Sequence, residues 1–283
     1  MICRERSRGL IRRAGASLTV AAIGAALVCP AQALADDFDV LRGSLSSPRH
    51  MRWEGVNFGG QFGLTNMHTD FGGSTSSEIA YILRDSTLEN EAAPSNWTTL
   101  PANSTNGRSY GIFLGYNLQW DDLVIGFDGT YTRAGSLQSS ASDGLTRVVT
   151  TSDSVQHTVT INAQSSMKLI DYATFRVRAG YAFGQFLPYA FVGGAAGRFN
   201  YTSSATVTDV QDNGGVITTF GPQTQSNNKN NAIDGGFTLG LGLDVAVLPN
   251  VFLRAEWEFV GFAQVNGIRS TINTGRIGIG VKF

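Results

Sequence analysis

The last eight residues of the chain, Arg276 to Phe283, alternate strictly between apolar side chains and polar or glycine residues. Successive side chains of an extended strand point to opposite faces, so one face of this segment is entirely apolar. The other face carries Arg276, Gly278, Gly280 and Lys282. A strand with two such faces is typical of a transmembrane β-barrel, in which lipid contacts one face and a narrow interior the other.

The same alternation recurs along the chain, and the joins between the segments are alternately long and short. It predicts eight strands, each near the ~10 residues that a tilted membrane strand requires. They fall at 53–64, 110–118, 125–132, 169–183, 187–201, 237–245, 251–259 and 276–283. We therefore expect an all-β fold: an eight-stranded antiparallel transmembrane β-barrel with long extracellular loops and short periplasmic turns, in the outer membrane. A soluble barrel or sandwich is the alternative, but the glycine and charge along its strands would then face solvent.

The long joins are 65–109, 135–167, 202–233 and 262–271, all rich in Ser, Thr, Asn and Gly. Strand-like patches in the second and third leave open whether strands continue above the membrane as hairpins. The alternation also assigns faces. It places Tyr189, Phe191, Phe199 and Tyr201 on the lipid side of the fifth strand, and Trp53 in an aromatic ring at the periplasmic interface.

The N-terminus predicts a cleaved secretory signal peptide at residues 1–35, because basic residues precede an apolar run and a small-x-small cleavage site. Residues 36–52 are then a periplasmic lead-in and residues 53–283 the barrel. Both cysteines lie in the signal peptide, so the mature chain has no thiol chemistry. Its removal changes the formal charge from −1 to −5, which argues against a nucleic-acid partner.

Charged residues occupy inward positions of the predicted strands, and they predict a charge network in the lumen. An eight-stranded barrel is just wide enough for side chains to fill, so these charges must pair with one another. The alternative is a narrow ion path lined by the arginines, which would make the protein a small porin. The nine residues are Asp128, Arg176, Arg178, Asp244, Arg254, Glu256, Glu258, Arg276 and Lys282.

Catalysis finds no support in the sequence, because a hydrolase needs a nucleophile, a base and an orienting group in mutual reach. The three histidines are His50, His68 and His157, and none lies in the middle of a predicted strand. We predict no enzyme, no metal site and no resident cofactor. His68 and His157 could ligate haem iron, although solvated loop histidines are the interpretation that we favour.

Four segments resemble, in order, those of a family of small alphaproteobacterial outer-membrane β-barrel surface antigens. They are 53–63, 115–120, 176–189 and 255–257. The chain end also resembles the C-terminal assembly signal of outer-membrane proteins, carried here by Arg276, Gly278, Val281 and Phe283. The resemblance implies a porin-like surface antigen with a structural or surface-interaction role in envelope integrity. The alternatives it leaves are a narrow porin for small solutes and a haemin-binding receptor. The implied partners are the lipid bilayer, the barrel-assembly machinery, and surface ligands or host molecules.

Overall fold

The computed structural model describes residues 52–98 and 100–283, with only the backbone of Ser136. The predicted signal peptide and the lead-in up to residue 51 lie outside the described residues. Eight strands follow one another around an antiparallel sheet, and the eighth pairs with the first, which closes the barrel. The strands are β1 (Gly55–Asp70), β2 (Asn103–Trp120), β3 (Leu123–Thr150), β4 (Gln156–Tyr181), β5 (Phe186–Asn213), β6 (Val216–Leu248), β7 (Val251–Phe262) and β8 (Arg269–Lys282). The predicted eight-stranded antiparallel barrel is confirmed.

The first long join contains helical structure that the sequence pattern did not predict. Two short helices, α1 (Ser76–Ile82) and α2 (Thr87–Ala92), are followed by one 3-10 turn at Pro94–Asn96. The side chain of Ser86 caps the N-terminus of α2 by accepting a hydrogen bond from the backbone N–H of Glu89. Within residues 52–98 and 100–283, no helix has the length and apolarity needed to cross a membrane.

The second and third long joins are mostly strand, which settles the hairpin question that periodicity left open. β3 and β4 stay paired as far as Thr150 and Gln156, and β5 and β6 as far as Asn213 and Val216. The strands β3 to β6 therefore continue beyond β1, β2, β7 and β8 as one four-stranded sheet. The fourth join is shorter than predicted, because β8 begins at Arg269.

The face assignment of β5 was wrong. Tyr189, Phe191, Phe199 and Tyr201 are all at most 5% exposed and point into the barrel. The period of two runs unbroken along β5, because the register shifts between Leu169 and Asp171 and opposite Phe199 and Tyr201 insert their extra residues into β4 and β6. The whole strand therefore has the opposite face inward from the one predicted. Near the short turns, β5 simply places its aromatic positions inward, against the glycines of β6.

The interior of the barrel consists of two apolar layers with a charged layer between them. The apolar layer near the short turns, the turn-end layer, comprises Trp53, Phe113, Val124, Ala182, Leu187, Tyr189, Phe191, Ala246 and Phe252. Trp53 is 1% exposed and packs edge-on against Phe252, so it is not part of an interfacial ring as predicted. The loop-end layer includes Met67, Phe71, Leu137, Leu169, Tyr172, Phe199, Tyr201 and Phe262.

Candidate functional site

Four arginines and four carboxylates form the charged layer. Strand pairing positions them, because Asp128 lies directly opposite Arg176 across β3 and β4. Asp244 likewise faces Arg254 across β6 and β7, and Glu256 faces Arg276 across β7 and β8. The set is Asp128, Arg176, Arg178, Asp244, Arg254, Glu256, Glu258 and Arg276, and each side chain is at most 2% exposed. Equal numbers of opposite charges therefore meet in a volume from which water is excluded.

Arg176 is the centre of this layer. Its Nε and Nη2 donate to the two carboxylate oxygens of Asp128, at 2.6 and 2.9 Å. Its Nη1 also donates to Glu256 at 3.2 Å and to Glu258 at 3.3 Å. A planar guanidinium suits this arrangement, because its N–H groups form a rigid fork that fits carboxylates in pairs. One side chain thus links strands β3, β4 and β7 across the lumen.

A second two-point ion pair joins Arg254 to Asp244, with N–O distances of 2.8 and 2.9 Å. Arg178 donates to the same carboxylate at 3.2 Å, and to the side-chain oxygen of Asn117 at 2.7 and 3.0 Å. Asn117 in turn donates to the backbone carbonyl of Trp53 at 2.9 Å. The charged layer is therefore tied by hydrogen bonds to the turn-end layer.

Glu256 and Glu258 both form ion pairs with the remaining arginine, Arg276. The Nε of Arg276 donates to Glu256 at 2.6 Å and its Nη1 to Glu258 at 2.8 Å. The hydroxyl of Tyr189 donates to Glu256 at 2.5 Å. Thr238 adds a hydrogen bond to Glu258 at 3.1 Å. The buried carboxylates are thus compensated by cations and neutral donors, as burial of charge requires.

Aromatic rings cover the guanidinium groups. The guanidinium carbon, Cζ, of Arg176 lies 4.1 Å from the ring centroid of Phe191, and that of Arg254 lies 4.1 Å from the ring centroid of Phe113. Such stacking is attractive because the ring face carries partial negative charge. Glycines on β6 make room for the rings: a Cβ at Gly240 would lie 2.4 Å from Phe191, and one at Gly242 only 2.3 Å from Tyr189. Inward glycine and inward aromatic residues are therefore complementary in shape.

The residues predicted for the lumen charge network and for the assembly signal do not all lie in one place. Lys282 lies apart from the charged layer: its Nζ donates to the backbone carbonyl of Arg52 and lies 5.8 Å from the ring centroid of Trp53. Phe283 is exposed and stacks on Phe58 with ring centroids 5.8 Å apart. Arg276 is the one residue of the predicted signal that also belongs to the charge network.

The helical segment packs against the inner face of the extended β3–β6 sheet. Ile79, Leu83 and Leu88 form an apolar cluster with Val159, Ile161, Ala205 and Val207. Polar contacts fix the same segment, since Ser203 donates to Glu78 at 2.6 Å and the Ser152 amide donates to Glu91 at 2.9 Å. The loop end of the barrel is therefore a folded structure with its own small core.

The two candidate haem ligands lie in different environments. His68 is exposed on β1, and its Nδ1 lies 2.9 Å from the Ser104 hydroxyl. His157 is buried, with Nδ1 at 2.8 Å from Asp209 and Nε2 at 3.2 Å from the Thr151 hydroxyl. Both ring nitrogens of His157 are thus engaged, whereas the Nε2 of His68 has no hydrogen-bond partner among the described residues.

Thr151, His157 and Asp209 have the spacing of a hydroxyl–imidazole–carboxylate triad, which the sequence did not suggest. Thr151 lies in the turn between β3 and β4, His157 at the start of β4 and Asp209 near the end of β5, so their proximity depends on the register between β4 and β5. Thr151 donates its hydroxyl hydrogen to Asp153 at 2.5 Å, and the pKa of Asp153 is lowered by this hydrogen bond. The cavity beside it, of about 260 Å³, is lined by His157 and Asp209 and not by Thr151. These contacts hold the turn between β3 and β4 against β5.

Among the described residues, no three or more His, Cys, Asp or Glu side chains are grouped to hold a metal ion. The sequence pattern did locate the acids and arginines of the charged layer on inward positions. It missed Asn117, Tyr189 and Phe191, whose contacts depend on neighbouring strands. Inward glycines at Gly240 and Gly242 were the signal that could have indicated rings opposite them.

Comparison with known proteins identifies the family. Residues 21–283 match the family described as outer membrane protein beta-barrel domain. No curated protein sequence matches the chain. The solved structures that resemble it include Ail of Yersinia pestis (13% identity, 81% of this chain and 99% of that chain, TM-score 0.33). Neisserial surface protein A (17%, 81% and 100%, TM-score 0.32) and the N-terminal barrel domain of Pseudomonas aeruginosa OprF (12%, 81% and 98%, TM-score 0.31) are others. The chain belongs to the outer membrane β-barrel family, and the protein is located in the cell outer membrane.

Proposed function

We propose that this protein is a non-conducting barrel with a structural and surface-interaction role, in which the membrane part anchors a folded extracellular part. The observation that carries the proposal is the closed lumen. Arg176 and the seven other charged residues of this layer fill the cross-section in the middle of the barrel, between two apolar layers. A solute would have to displace buried ion pairs as well as packed aromatic rings.

The extracellular part supports the same function. The strands β3 to β6 continue past the barrel rim, and α1 and α2 pack on the inner face of this sheet. Loops carried on a rigid scaffold are where binding functions are commonly found. Surface ligands or host molecules are the partners that such a structure would engage, as in the surface-antigen family that the sequence resembles. Recognition by the barrel-assembly machinery would rest on the strand ending at Phe283.

Single-channel recording tests the closed lumen. The barrel, refolded and checked by its heat-dependent migration on SDS gels, is added to a planar bilayer, and a porin is then added to the same bilayer as a control for insertion. We expect no current steps from this protein and regular steps from the porin. Discrete steps proportional to salt concentration would contradict the proposal and favour the narrow porin.

Haemin binding is the second activity that the resemblance implies, and the surroundings of the two histidines favour His68 as the ligand. His68 is exposed and its Nε2 has no partner in the described part of the chain, whereas His157 is buried between Asp209 and Thr151. Any haemin ligation by a histidine of the barrel would therefore depend on His68.

A further inference from the structure

Four basic side chains lie on the outer surface of neighbouring strands β2 to β5, near the loop end of the barrel. Arg133 is directly paired with Asp171, and Asp171 with Arg198, across β3, β4 and β5. Arg108 is paired with Gly135, two residues further along β3, and Lys168 precedes Asp171 on β4. We call Arg108, Arg133, Lys168 and Arg198 the basic patch.

Most of the charge of this patch is uncompensated. Arg198 forms an ion pair with Asp171, which also accepts a hydrogen bond from the Tyr131 hydroxyl at 3.0 Å. Arg108, Arg133 and Lys168 are exposed, and within residues 52–98 and 100–283 they form no ion pair and no side-chain hydrogen bond. Three positive charges are therefore available to a ligand outside the barrel.

The patch is confined to one side of the barrel. In the other direction around the barrel, Arg108 is paired with Leu64, Leu64 with Gly275, and Gly275 with Trp257. None of these three residues is charged. On the far side of Arg198 the paired residue is Ile233, which is 76% exposed. The loop ends of β1 and β8 carry the exposed and directly paired Asp70 and Arg269, whose charges are opposite, so the excess of positive charge lies on the β2–β5 side.

Tyrosines place the patch at the level of the lipid headgroups. Tyr110 is paired with Arg133, and Tyr131 lies two residues before Arg133 on β3; both rings are exposed. Tyrosine is enriched at membrane interfaces, where its ring meets the acyl chains and its hydroxyl meets water. Below them the outer surface is apolar, with exposed Ile112, Leu114 and Phe175. The basic side chains thus lie where lipid phosphates lie.

Above the patch, the outer face of the extended sheet is polar and uncharged. Paired rows of Ser, Thr, Asn and Gln cross from β3 to β6, with hydrogen bonds such as Thr206 to Thr224 at 2.8 Å. Two adjoining shallow grooves, of about 320 and 570 Å³, are lined mainly by these residues, and the larger one also by Asp143. Hydroxyl and amide groups in such numbers match the hydrogen-bonding groups of a sugar. The rows contain Ser140, Ser142, Asn162, Gln164, Ser166, Thr202, Ser204, Thr206, Thr224, Ser226 and Asn228.

The geometry points to a binding site for a phosphorylated glycolipid of the outer leaflet on the β2–β5 side of the barrel. Its acyl chains contact the apolar surface, its phosphates bind Arg108, Arg133 and Lys168, and its sugars lie against the polar face above. Arginine and lysine both bind phosphate strongly, and clusters of basic residues beside a membrane select anionic headgroups. A phospholipid headgroup would satisfy the charges but would leave the polar face without a partner.

Native mass spectrometry of the full barrel in mild detergent measures this binding directly. The probes are bisphosphorylated lipid A, monophosphoryl lipid A and dimyristoyl phosphatidylglycerol. The triple variant Arg108→Gln, Arg133→Gln and Lys168→Gln should bind bisphosphorylated lipid A at least about tenfold more weakly. A control variant, Arg84→Gln, Lys229→Gln and Arg269→Gln, removes the same charge elsewhere and should bind as the unaltered protein does.

The order of affinities expected is bisphosphorylated lipid A, then the monophosphoryl form, then phosphatidylglycerol. The double variant Gln164→Ala and Thr202→Ala should weaken lipid A binding and leave phosphatidylglycerol binding unchanged. Equal losses in the patch and control variants would overturn the site, because they would indicate general charge attraction. Equal affinity for phosphatidylglycerol, or no effect of the double variant, would overturn the assignment of the polar face to the sugars. Migration on SDS gels checks that every variant is folded.

Discussion

Arg176 and Asp128 occupy directly paired positions on β4 and β3, and their side chains form a two-point ion pair with N–O distances of 2.6 and 2.9 Å in the middle of the barrel. The strand register alone brings the two backbones together, and the bidentate contact then holds the guanidinium level with Glu256 and Glu258. This pair therefore links the pairing of the strands to the closure of the lumen.

Removing Arg176 should destabilise the barrel strongly. Arg176→Ala leaves Asp128 buried without its main partner, and the loss of one member of a buried pair costs about 3–5 kcal/mol. Urea unfolding in lipid vesicles, followed by tryptophan fluorescence, gives the free energy directly. The exposed Arg133→Ala is the matched control and should change it by less than about 0.5 kcal/mol.

A double variant separates the energy of the ion pair from the contributions of its two members. In the double variant Arg176→Ala and Asp128→Ala, the carboxylate that the single variant leaves unpaired is absent. Its free energy of unfolding should therefore exceed that expected from adding the two single losses. Strict additivity in the same urea titration would contradict the coupling inferred from the geometry.

Substitution of Gly242 should destabilise the barrel because the Tyr189 ring occupies the space that a side chain would need. A Cβ at Gly242 would lie 2.3 Å from that ring, so Gly242→Ala forces the ring or the strand to move. Overpacking of this kind costs about 1–3 kcal/mol. Gly194→Ala is the control, since its added Cβ meets nothing within 4 Å. A loss in the control equal to that of Gly242→Ala would mean that strand glycine itself is required.

The contact between His157 and Asp209 should stabilise the extracellular sheet without affecting the membrane part. Asp209→Ala removes the acceptor at 2.8 Å from His157 Nδ1 and should increase protease cleavage in the loop-end turns, between β3 and β4 and between β5 and β6. The temperature of the gel-migration change should stay the same, because the charged layer is untouched. Asp143→Ala, at an exposed position on β3, should leave cleavage unchanged. A lower transition temperature in Asp209→Ala would show that the two parts unfold together.

Haemin titration should distinguish the two histidines. His157→Ala should leave the haemin absorption spectrum unchanged, because both nitrogens of His157 are already bound within the sheet. Any shift of the main absorption band seen with the unaltered protein should disappear in His68→Ala. A shift that His157→Ala alone removes would contradict the arrangement at the loop end, and the absence of a shift would remove the haemin receptor as an alternative.

The alternation of side chains predicted the barrel well where charged residues marked the inward face of a regular strand. It placed Arg254, Glu256 and Glu258 inward on β7 because that segment has no irregularity within it. On β5 it failed, because aromatic residues repeated on one face of a strand look the same whether that face contacts lipid or points into the lumen. The period itself is intact on β5, so the error is one of face and not of register.

The sequence by itself determined the class of fold, the number of strands and the inward position of most of the charges, because period-two alternation is a local property of each segment. Only the tertiary structure decided which charge meets which, since Asp128 with Arg176 and Asp244 with Arg254 depend on the register between strands. It also decided that Tyr189 and Phe191 face inward, and that Arg108, Arg133 and Lys168 form one surface patch. These arrangements involve segments far apart in sequence, so the contacts can stabilise the protein only once the sheet has closed.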